Sequence, residues 1–157
     1  LTYGFSKLAG EYQAQFAEAE GIRTHCFRPF SGYGADQDLS YPFPSFIQRG
    51  KRKDDPFEVW GGTQSRDFIH IIDVVGATLA AVDQDVPGPV NLGTGRATDF
   101  NGLAAMVMRA AGYSGEISNL SSEVVGVHFR VADNSKMLSF YEPTVTLEEG
   151  IQKALIR

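Results

Sequence analysis

A tyrosine and a lysine stand four residues apart near the start of the sequence, as Tyr3 and Lys7. On a helix this spacing places the phenol and the ammonium side by side on one face. An ammonium beside a phenol favours the phenolate, so the pair could move a proton as a general acid or base. The same residues could instead be an aromatic at a helix start and a solvated charge, with Glu11 one turn further on.

Hydrophobic spacing and turn residues predict an α/β chain in which this pair lies on the first helix. On that helix, apolar side chains recur at three- and four-residue intervals, as Phe5, Leu8, Tyr12 and Phe16. Helices are predicted over residues 3–20, 44–50, 73–85, 100–111, 134–140 and 146–155. Asp73 would cap the third, and Thr146 with Glu149 the last. Strands are predicted over 22–30, 57–60, 67–71 and 90–92, with 117–131 extended and 31–44 a loop.

The composition is that of one globular domain. The chain has 157 residues, of which 43% are hydrophobic and 21% charged. Its formal net charge of -5 gives no broad positive field that would attract a nucleic acid. No apolar run approaches the roughly 20 residues needed to cross a bilayer, and no signal segment leads the chain. We therefore expect a cytoplasmic protein with neither a nucleic acid nor a membrane as partner.

Cysteine and histidine are too sparse to suggest a disulfide or a metal site. Cys26 is the single cysteine, and we expect it to be a small buried side chain. His25, His70 and His128 are scattered without metal-ligand spacing, so no metal is expected. We interpret His70 as structural.

Three further segments complete a recognisable pattern. They read RPFSGYG at residues 28–34, WGGTQSRDFIHIIDV at 60–74 and VNLGTG at 90–95. Together with the tyrosine–lysine pair, and in this order, they resemble the extended short-chain dehydrogenase/reductase family, specifically its NAD-dependent nucleotide-sugar epimerases and dehydratases. The resemblance covers nearly the whole chain but only the C-terminal half of such an enzyme, without the strand, glycine-rich turn and helix that bind the dinucleotide.

The resemblance implies a fold and a domain organisation. We expect the C-terminal part of a Rossmann-like doubly wound parallel sheet plus a small mixed α/β substrate-binding lobe. Residues 1–157 would form a single fragment in which the end of the NAD-binding domain is interleaved with the nucleotide-sugar-binding lobe. The fragment would lack the N-terminal dinucleotide-binding half, whether through a deliberate cut, proteolysis or a truncated gene.

The resemblance also implies catalytic and cofactor-binding roles. Tyr3 would move the proton of a sugar hydroxyl, while Lys7 would hold the nicotinamide ribose and favour the phenolate. Backbone near Pro29 and Phe30 would approach the nicotinamide. The implied cofactor is NAD, with NADP left open because the residue that distinguishes them belongs to the unmatched half. The family's upstream serine or threonine also lies there, so we expect this fragment alone to be inactive.

Ser31 and Arg66 match substrate-binding positions of the family. Ser31 stands where the family usually has an asparagine that bonds the sugar diphosphate, and its side chain is shorter with a single donor. Arg66 offers a fork of donors that suits phosphate oxygens. By residue type alone, Arg66 and Asp67 would instead be a surface ion pair.

Three other residues match substrate-binding positions less specifically. Trp60 stands where the family often has an aromatic that packs against the nucleotide base, although a tryptophan in a strand could also be a core residue. Arg130 and Asp133 resemble a late pair that contacts the diphosphate and the nucleoside ribose.

The predicted function is a nucleotide-sugar epimerase or dehydratase that oxidises and re-reduces a sugar hydroxyl with NAD. One alternative is a catalytically inactive nucleotide-sugar-binding module or remnant, and a second is a short-chain reductase acting on a non-nucleotide substrate. The expected partners are a nucleoside-diphosphate sugar and a second copy of the chain, bound through the helix that starts at Tyr3. The apolar face of that helix could equally be exposed by truncation and then covered by self-association.

Overall fold

A computed structural model describes residues 2–121 and 126–156, which form six helices and nine short strands. The helices are α1 (Thr2–Ala19), α2 (Pro42–Arg52), α3 (Ile71–Asp83), α4 (Phe100–Ala110), α5 (Ser135–Leu138) and α6 (Leu147–Ile156). The strands are β1 (Phe27–Pro29), β2 (Ser31–Tyr33), β3 (Phe57–Trp60), β4 (Ser65–Arg66), β5 (Phe68–His70), β6 (Val90–Leu92), β7 (Thr98–Asp99), β8 (Ile117–Leu120) and β9 (Phe129–Arg130). The predicted α/β class is confirmed.

Most of the strand pairs are parallel. β1 pairs with β6, β2 with β5 and β3 with β8, each in parallel. β4 lies between β7, which is antiparallel to it, and β9, which is parallel. Parallel partners need long crossover connections, and each of these pairs is connected through at least one helix.

Two clusters of buried apolar side chains form the core. The first packs α2, α4 and α6 against β3 and includes Phe46, Phe57, Leu103, Val107 and Ile151. The second lies among α3, α5, β5 and β6 and consists of Ile69, Ala77, Val90, Leu92 and Met137. Successive side chains of a strand point to opposite faces, so β5 contributes Phe68 to the first cluster and Ile69 to the second.

Helix α1 is attached to the rest of the fold by polar contacts. Within Thr2–Ala19 no residue is buried. The Arg28 guanidinium forms a two-bond ion pair with the Glu11 carboxylate, and the Thr24 hydroxyl donates to Glu18 Oε1 at 2.7 Å. The helix ends before Gly21, whose φ of 84° is in the left-handed region that favours glycine.

The strand predicted over residues 22–30 is shorter in the structure, where β1 covers only Phe27–Pro29. The reason lies in its partner strand. Pro87 and Pro89 precede β6 and have no N–H, so they cannot donate to a longer ladder. The last bond is donated by Val90 N to Cys26 O at 2.9 Å. Cys26 is half-buried rather than buried.

The segment predicted as a loop over residues 31–44 contains a strand and the start of a helix. β2 pairs with β5 despite its glycine-rich surroundings, because Tyr33 is buried and stacks on Phe43 with ring centroids 4.1 Å apart. Pro42 occupies the first turn of α2, where its missing N–H costs no helical hydrogen bond.

The prediction that Asp73 caps α3 is wrong. The helix begins at Ile71, and His70 caps it through Nδ1, which accepts a hydrogen bond from Ile72 N at 3.2 Å. Asp73 is fully buried in the first turn and accepts hydrogen bonds from three residues of the chain that follows α5, Tyr141, Thr144 and Val145. Burial raises the pKa of the Asp73 carboxyl, but these donors outweigh it and hold the pKa below its usual range.

The remaining helices and strands follow the predicted pattern with small differences. α4 is capped by Asp99, whose Oδ1 accepts from Gly102 N at 2.6 Å. The predicted capping box before α6 is confirmed by reciprocal bonds between Thr146 and Glu149. The run predicted as extended over 117–131 contains β8 and β9, and its residues 122–125 lie outside the described part of the chain. None of the described helices is both long and apolar enough to span a membrane.

Candidate functional site

A cavity of about 420 Å³ is formed by strand ends and the first turns of two helices. Five of the residues predicted to bind cofactor or substrate line it: Phe30, Ser31, Trp60, Arg66 and Arg130. The other lining residues are Gly32, Gln37, Tyr41, Pro42, Phe43, Gln64, Phe68, Phe100 and Gly126. The fold therefore brings together residues that are up to 100 positions apart in the sequence, counted from Phe30 to Arg130.

Two arginines lie side by side on this cavity. Arg66 of β4 and Arg130 of β9 are register partners in parallel strands. The Arg66 guanidinium is 5.5 Å from the ring centroid of Phe100, and its Nη1 donates to Ser65 O at 2.8 Å. Like charges on neighbouring strands repel each other. The arrangement therefore destabilises the unliganded protein, and a bound anion would relieve the repulsion.

Both guanidiniums lack a carboxylate partner among residues 2–121 and 126–156. Burial lowers the pKa of the Arg66 guanidinium, and the charge of Arg130 lowers it further. Two guanidiniums on one cavity can form several charge-assisted hydrogen bonds with phosphate oxygens. The site therefore suits an anion with two adjacent negative groups, such as a diphosphate.

Asp67 takes no part in a surface ion pair with Arg66, so that alternative is wrong. Its side chain is fully buried. Its carboxylate accepts from Thr94 N at 2.8 Å, Thr94 Oγ1 at 2.6 Å, Gly95 N at 2.9 Å and Ala132 N at 3.2 Å. The carboxylate thus connects the start of β5 with the loop after β6 and the chain after β9.

Trp60 is not a core residue, because 56% of its surface is exposed. Along β3 the buried side chains are Phe57 and Val59, and the strand alternation turns Glu58 and Trp60 outward. The indole therefore forms part of the cavity wall, where a flat aromatic ligand group could stack on it.

Ser31 and Phe30 reach the cavity through two different strand pairs. Ser31 N donates to Asp67 O at 2.9 Å, which links β2 to β5. Phe30 N donates to Leu92 O at 3.0 Å, at the end of the β1–β6 pair. Phe30 and Ser31 therefore mark the point where the two parallel pairs meet the cavity.

Two glutamines of the cavity went unnoticed in the sequence. Gln64 is 5% exposed, and its amide packs against the backbone of Gly61, where any Cβ would collide with it. Gln37 donates from Nε2 to Gly32 O at 3.1 Å. The Oε1 atoms of both are buried without a hydrogen-bond donor within the described residues. The spacing of Gln64 two residues before Arg66 could have indicated a shared face.

Four of the predicted residues lie outside the cavity lining. Lys7 Nζ is 5.3 Å from the ring centroid of Tyr3, so the two side chains are adjacent on α1, and 77% of the Tyr3 surface is exposed. Pro29 lies within β1. Asp133 Oδ1 accepts from Ser135 N and Oγ at the start of α5, and these bonds lower the pKa of its carboxyl. The roles assigned to these residues, and to those on the cavity, stay predictions.

Histidine, cysteine and carboxylate side chains do not converge on a metal-binding arrangement in the described residues. No group of three or more such side chains lies close enough to hold an ion there. The cavity accordingly offers guanidinium, amide, hydroxyl and aromatic groups to a ligand.

Residues 2–93 match the sequence model of the NAD dependent epimerase/dehydratase family. The chain belongs to this family. Among its relatives, a putative UDP-glucose 4-epimerase of Methanocaldococcus jannaschii is 29% identical over 160 residues, which cover 98% of the chain and 52% of that protein. UDP-glucuronic acid decarboxylase 1 of Xenopus tropicalis is 28% identical over 144 residues, which cover 89% of the chain and 34% of that protein.

Solved structures of the family share the fold. The crystal structure of UDP-glucose 4-epimerase with UDP-glucose from Thermotoga maritima superposes with a TM-score of 0.86 at 29% identity, over 98% of the chain and 52% of that protein. The crystal structure of UDP-glucuronic acid 4-epimerase from Bacillus cereus, in complex with UDP-glucuronic acid and NAD, superposes with a TM-score of 0.81 at 26% identity. This match covers 98% of the chain and 52% of that protein. The chain spans about half the length of these enzymes. The predicted family and the predicted fold, the C-terminal part of a Rossmann-like sheet with a small mixed lobe, are confirmed.

The paired arginines predict a measurable affinity for inorganic pyrophosphate. We expect Arg66→Gln to weaken pyrophosphate binding roughly 10- to 100-fold, because a hydrogen bond to a charged group contributes about 1.5–3 kcal/mol. Isothermal titration calorimetry of the 157-residue chain measures this affinity. Arg52→Gln is the matched control, since Arg52 is ion-paired with Asp54 away from the cavity. Equal affinities for Arg66→Gln and Arg52→Gln would show that Arg66 does not bind the diphosphate.

Proposed function

We propose that the chain supplies the sugar-nucleotide-binding part and the proton-transfer pair of a NAD-dependent nucleotide-sugar epimerase or dehydratase. The observation that carries this proposal is the convergence of Arg66 and Arg130, in register, on one cavity with Trp60. Membership of the epimerase/dehydratase family supports it. Residues 1–157 would then form the end of a NAD-binding domain interleaved with a nucleotide-sugar-binding lobe.

Five residues would share the recognition of the ligand, four of them on the cavity lining and Asp133 outside it. Arg66 and Arg130 would hold the diphosphate, because their guanidiniums can share its oxygens. The exposed indole of Trp60 would stack on the nucleobase. Ser31 would donate its single hydroxyl to the diphosphate or the sugar. Outside the lining, Asp133 accepts from Ser135 through Oδ1, and its Oδ2 would accept from a ribose hydroxyl.

The exposed pair on α1 fits the proton-transfer role. Tyr3 and Lys7 are adjacent and both are accessible, so a sugar hydroxyl can reach the phenol and a ribose can reach the ammonium. Tyr3 would take the proton from the hydroxyl and return it, and Lys7 would favour the phenolate in between. Lys7 and the backbone near Pro29 and Phe30 would hold the nicotinamide end of NAD, which when bound accepts and returns a hydride.

A second candidate function is nucleotide-sugar binding without catalysis. The observation that favours it is the position of Tyr3 and Lys7, neither of which lines the cavity that holds the paired arginines. A chain that binds the diphosphate and performs no proton transfer would have this geometry.

The single tryptophan of the chain reports base binding directly. We expect UDP-glucose to quench the fluorescence of Trp60, because the uracil would stack on its exposed indole. Inorganic pyrophosphate carries no base and should bind the arginines without this quenching. Trp60→Leu should weaken UDP binding several-fold and leave pyrophosphate affinity unchanged, as measured by calorimetry. Quenching of equal size with both ligands would contradict the stacking role.

Catalysis by the Tyr3–Lys7 pair predicts a rate effect without a binding effect. If the purified chain converts UDP-sugars in the presence of NAD, Tyr3→Phe should lower turnover by about 10²- to 10⁴-fold, the range of general acid–base catalysis. Its affinity for UDP should be unchanged, because the phenol lies outside the diphosphate cavity. Tyr12→Phe, the same substitution nine residues further along α1, is the control. Equal turnover in Tyr3→Phe and Tyr12→Phe would contradict the catalytic role of Tyr3.

The apolar face of α1 predicts association between two copies of the chain. Phe5, Leu8, Tyr12 and Phe16 are all more than half exposed on this face. We expect a dimer in sedimentation equilibrium that Leu8→Glu dissociates, because a carboxylate at a closely packed apolar contact is left without a partner. Gln13→Glu introduces the same charge beside the face and should leave the dimer intact. A monomeric wild-type chain would contradict the proposal.

A further inference from the structure

Asp67 is bonded or adjacent to the segments that carry three lining residues of the arginine cavity. It directly follows Arg66, and its main-chain oxygen accepts from Ser31 N at 2.9 Å. Its buried carboxylate accepts from Ala132 N, two residues after Arg130, at 3.2 Å. Three lining residues, Ser31, Arg66 and Arg130, are therefore within two positions of Asp67 or of one of its bonding partners.

The strand pair that aligns the two arginines is too short to fix its own register. β4 and β9 pair over two residues only, Ser65 with Phe129 and Arg66 with Arg130. Phe129 is largely exposed, so β9 has little apolar burial to anchor it. Ala132, two residues after β9, is buried, and its N–H donates to the Asp67 carboxylate. This hydrogen bond holds the chain in place just beyond the β4–β9 pair. A slip of one residue would turn Arg130 to the opposite face.

The Asp67 carboxylate bonds groups other than the two arginines. Its carboxylate oxygens are engaged by four hydrogen bonds from Thr94, Gly95 and Ala132. Of the charged groups in the described residues, Arg130 is the one that perturbs the Arg66 guanidinium. Within residues 2–121 and 126–156, no carboxylate neutralises either guanidinium of the cavity.

We propose that Asp67 is a positioning residue for diphosphate binding. Its buried carboxylate holds β9 against β4 in the register that directs the Arg66 and Arg130 guanidiniums to one cavity. The proposal rests on the proposed function in one respect, that the anion bound there is a diphosphate. Asp67 itself touches neither the ligand nor the reacting atoms.

Asp73 provides a matched control for the loss of a buried carboxylate. Like Asp67 it is fully buried and accepts four hydrogen bonds, from Tyr141 Oη, Thr144 N, Thr144 Oγ1 and Val145 N. None of these three residues lines the arginine cavity. Asp67→Asn and Asp73→Asn therefore each replace a buried carboxylate that accepts four hydrogen bonds. Only Asp67 adjoins the arginines.

The test compares pyrophosphate affinity in these two variants at a temperature where both are folded. We expect Asp67→Asn to weaken binding about tenfold or more, while Asp73→Asn stays within about twofold of the wild type. A double-mutant cycle gives the second readout. If Asp67 acts through Arg130, Arg130→Gln should weaken pyrophosphate binding little further in the Asp67→Asn variant. In the Asp73→Asn variant, Arg130→Gln should weaken binding by the same factor as in the wild type.

Several outcomes would overturn the proposal. Equal losses in Asp67→Asn and Asp73→Asn, or losses from Asp67→Asn and Arg130→Gln that simply add, would reduce Asp67 to a stability role. If Asp67→Asn does not fold, Thr94→Val removes one of its four bonds and should weaken pyrophosphate binding two- to fivefold, again without adding to Arg130→Gln. No pyrophosphate binding by the wild-type chain overturns both this proposal and the proposed function, whereas normal binding that depends on Arg66 but not on Asp67 overturns this one alone.

Discussion

A buried carboxylate needs donors, and at Asp67 that requirement determines how three distant segments meet. Removing an ionised carboxylate from water is costly unless hydrogen bonds replace its hydration. The donors come from Thr94, Gly95 and Ala132, so the loop after β6 and the chain after β9 must both close on the start of β5. Gly93 has no side chain for the same reason, since a Cβ there would lie 2.6 Å from Asp67 Oδ2. The same principle recurs at Asp73, which holds residues 141–145 against α3.

Strand β5, which follows Asp67, lies between the two hydrophobic cores. Phe68 packs into the core formed by α2, α4 and α6, whereas Ile69 packs into the core formed by α3, α5 and β6. The arginine cavity lies beside the first core, and the parallel pair of β1 and β6 belongs with the second. One short strand thus joins the first core, beside the arginine cavity, to the second core, and the buried Asp67 carboxylate lies at the start of this strand.

Long periodic segments could be predicted from the sequence, and short strands could not. α1, α4 and α6 have regular apolar spacing or a capping box, whereas β2, β4 and β7 are two or three residues long and lie among glycine, serine and threonine. Asp73 was mistaken for a helix cap because a carboxylate near a helix start can either cap it or be buried. Residue types indicated Trp60, Arg66 and Arg130, which meet on the cavity. The role of Asp67 depends on partners 27 to 65 residues away, a relation that no local pattern contains.

The polar attachment of α1 has a consequence for cooperativity. Apolar burial binds the two cores into one unit, but α1 contributes no buried residue within Thr2–Ala19 and is fastened by the partly exposed Arg28–Glu11 ion pair and the Thr24–Glu18 hydrogen bond. Charge pairs of this kind weaken as ionic strength rises, whereas apolar packing does not. We therefore expect α1 to unfold locally at a free energy below that of the cores. Tyr3 and Lys7 on α1 and the arginine cavity beside the first core consequently lie in parts of the molecule whose stability we expect to depend differently on ionic strength.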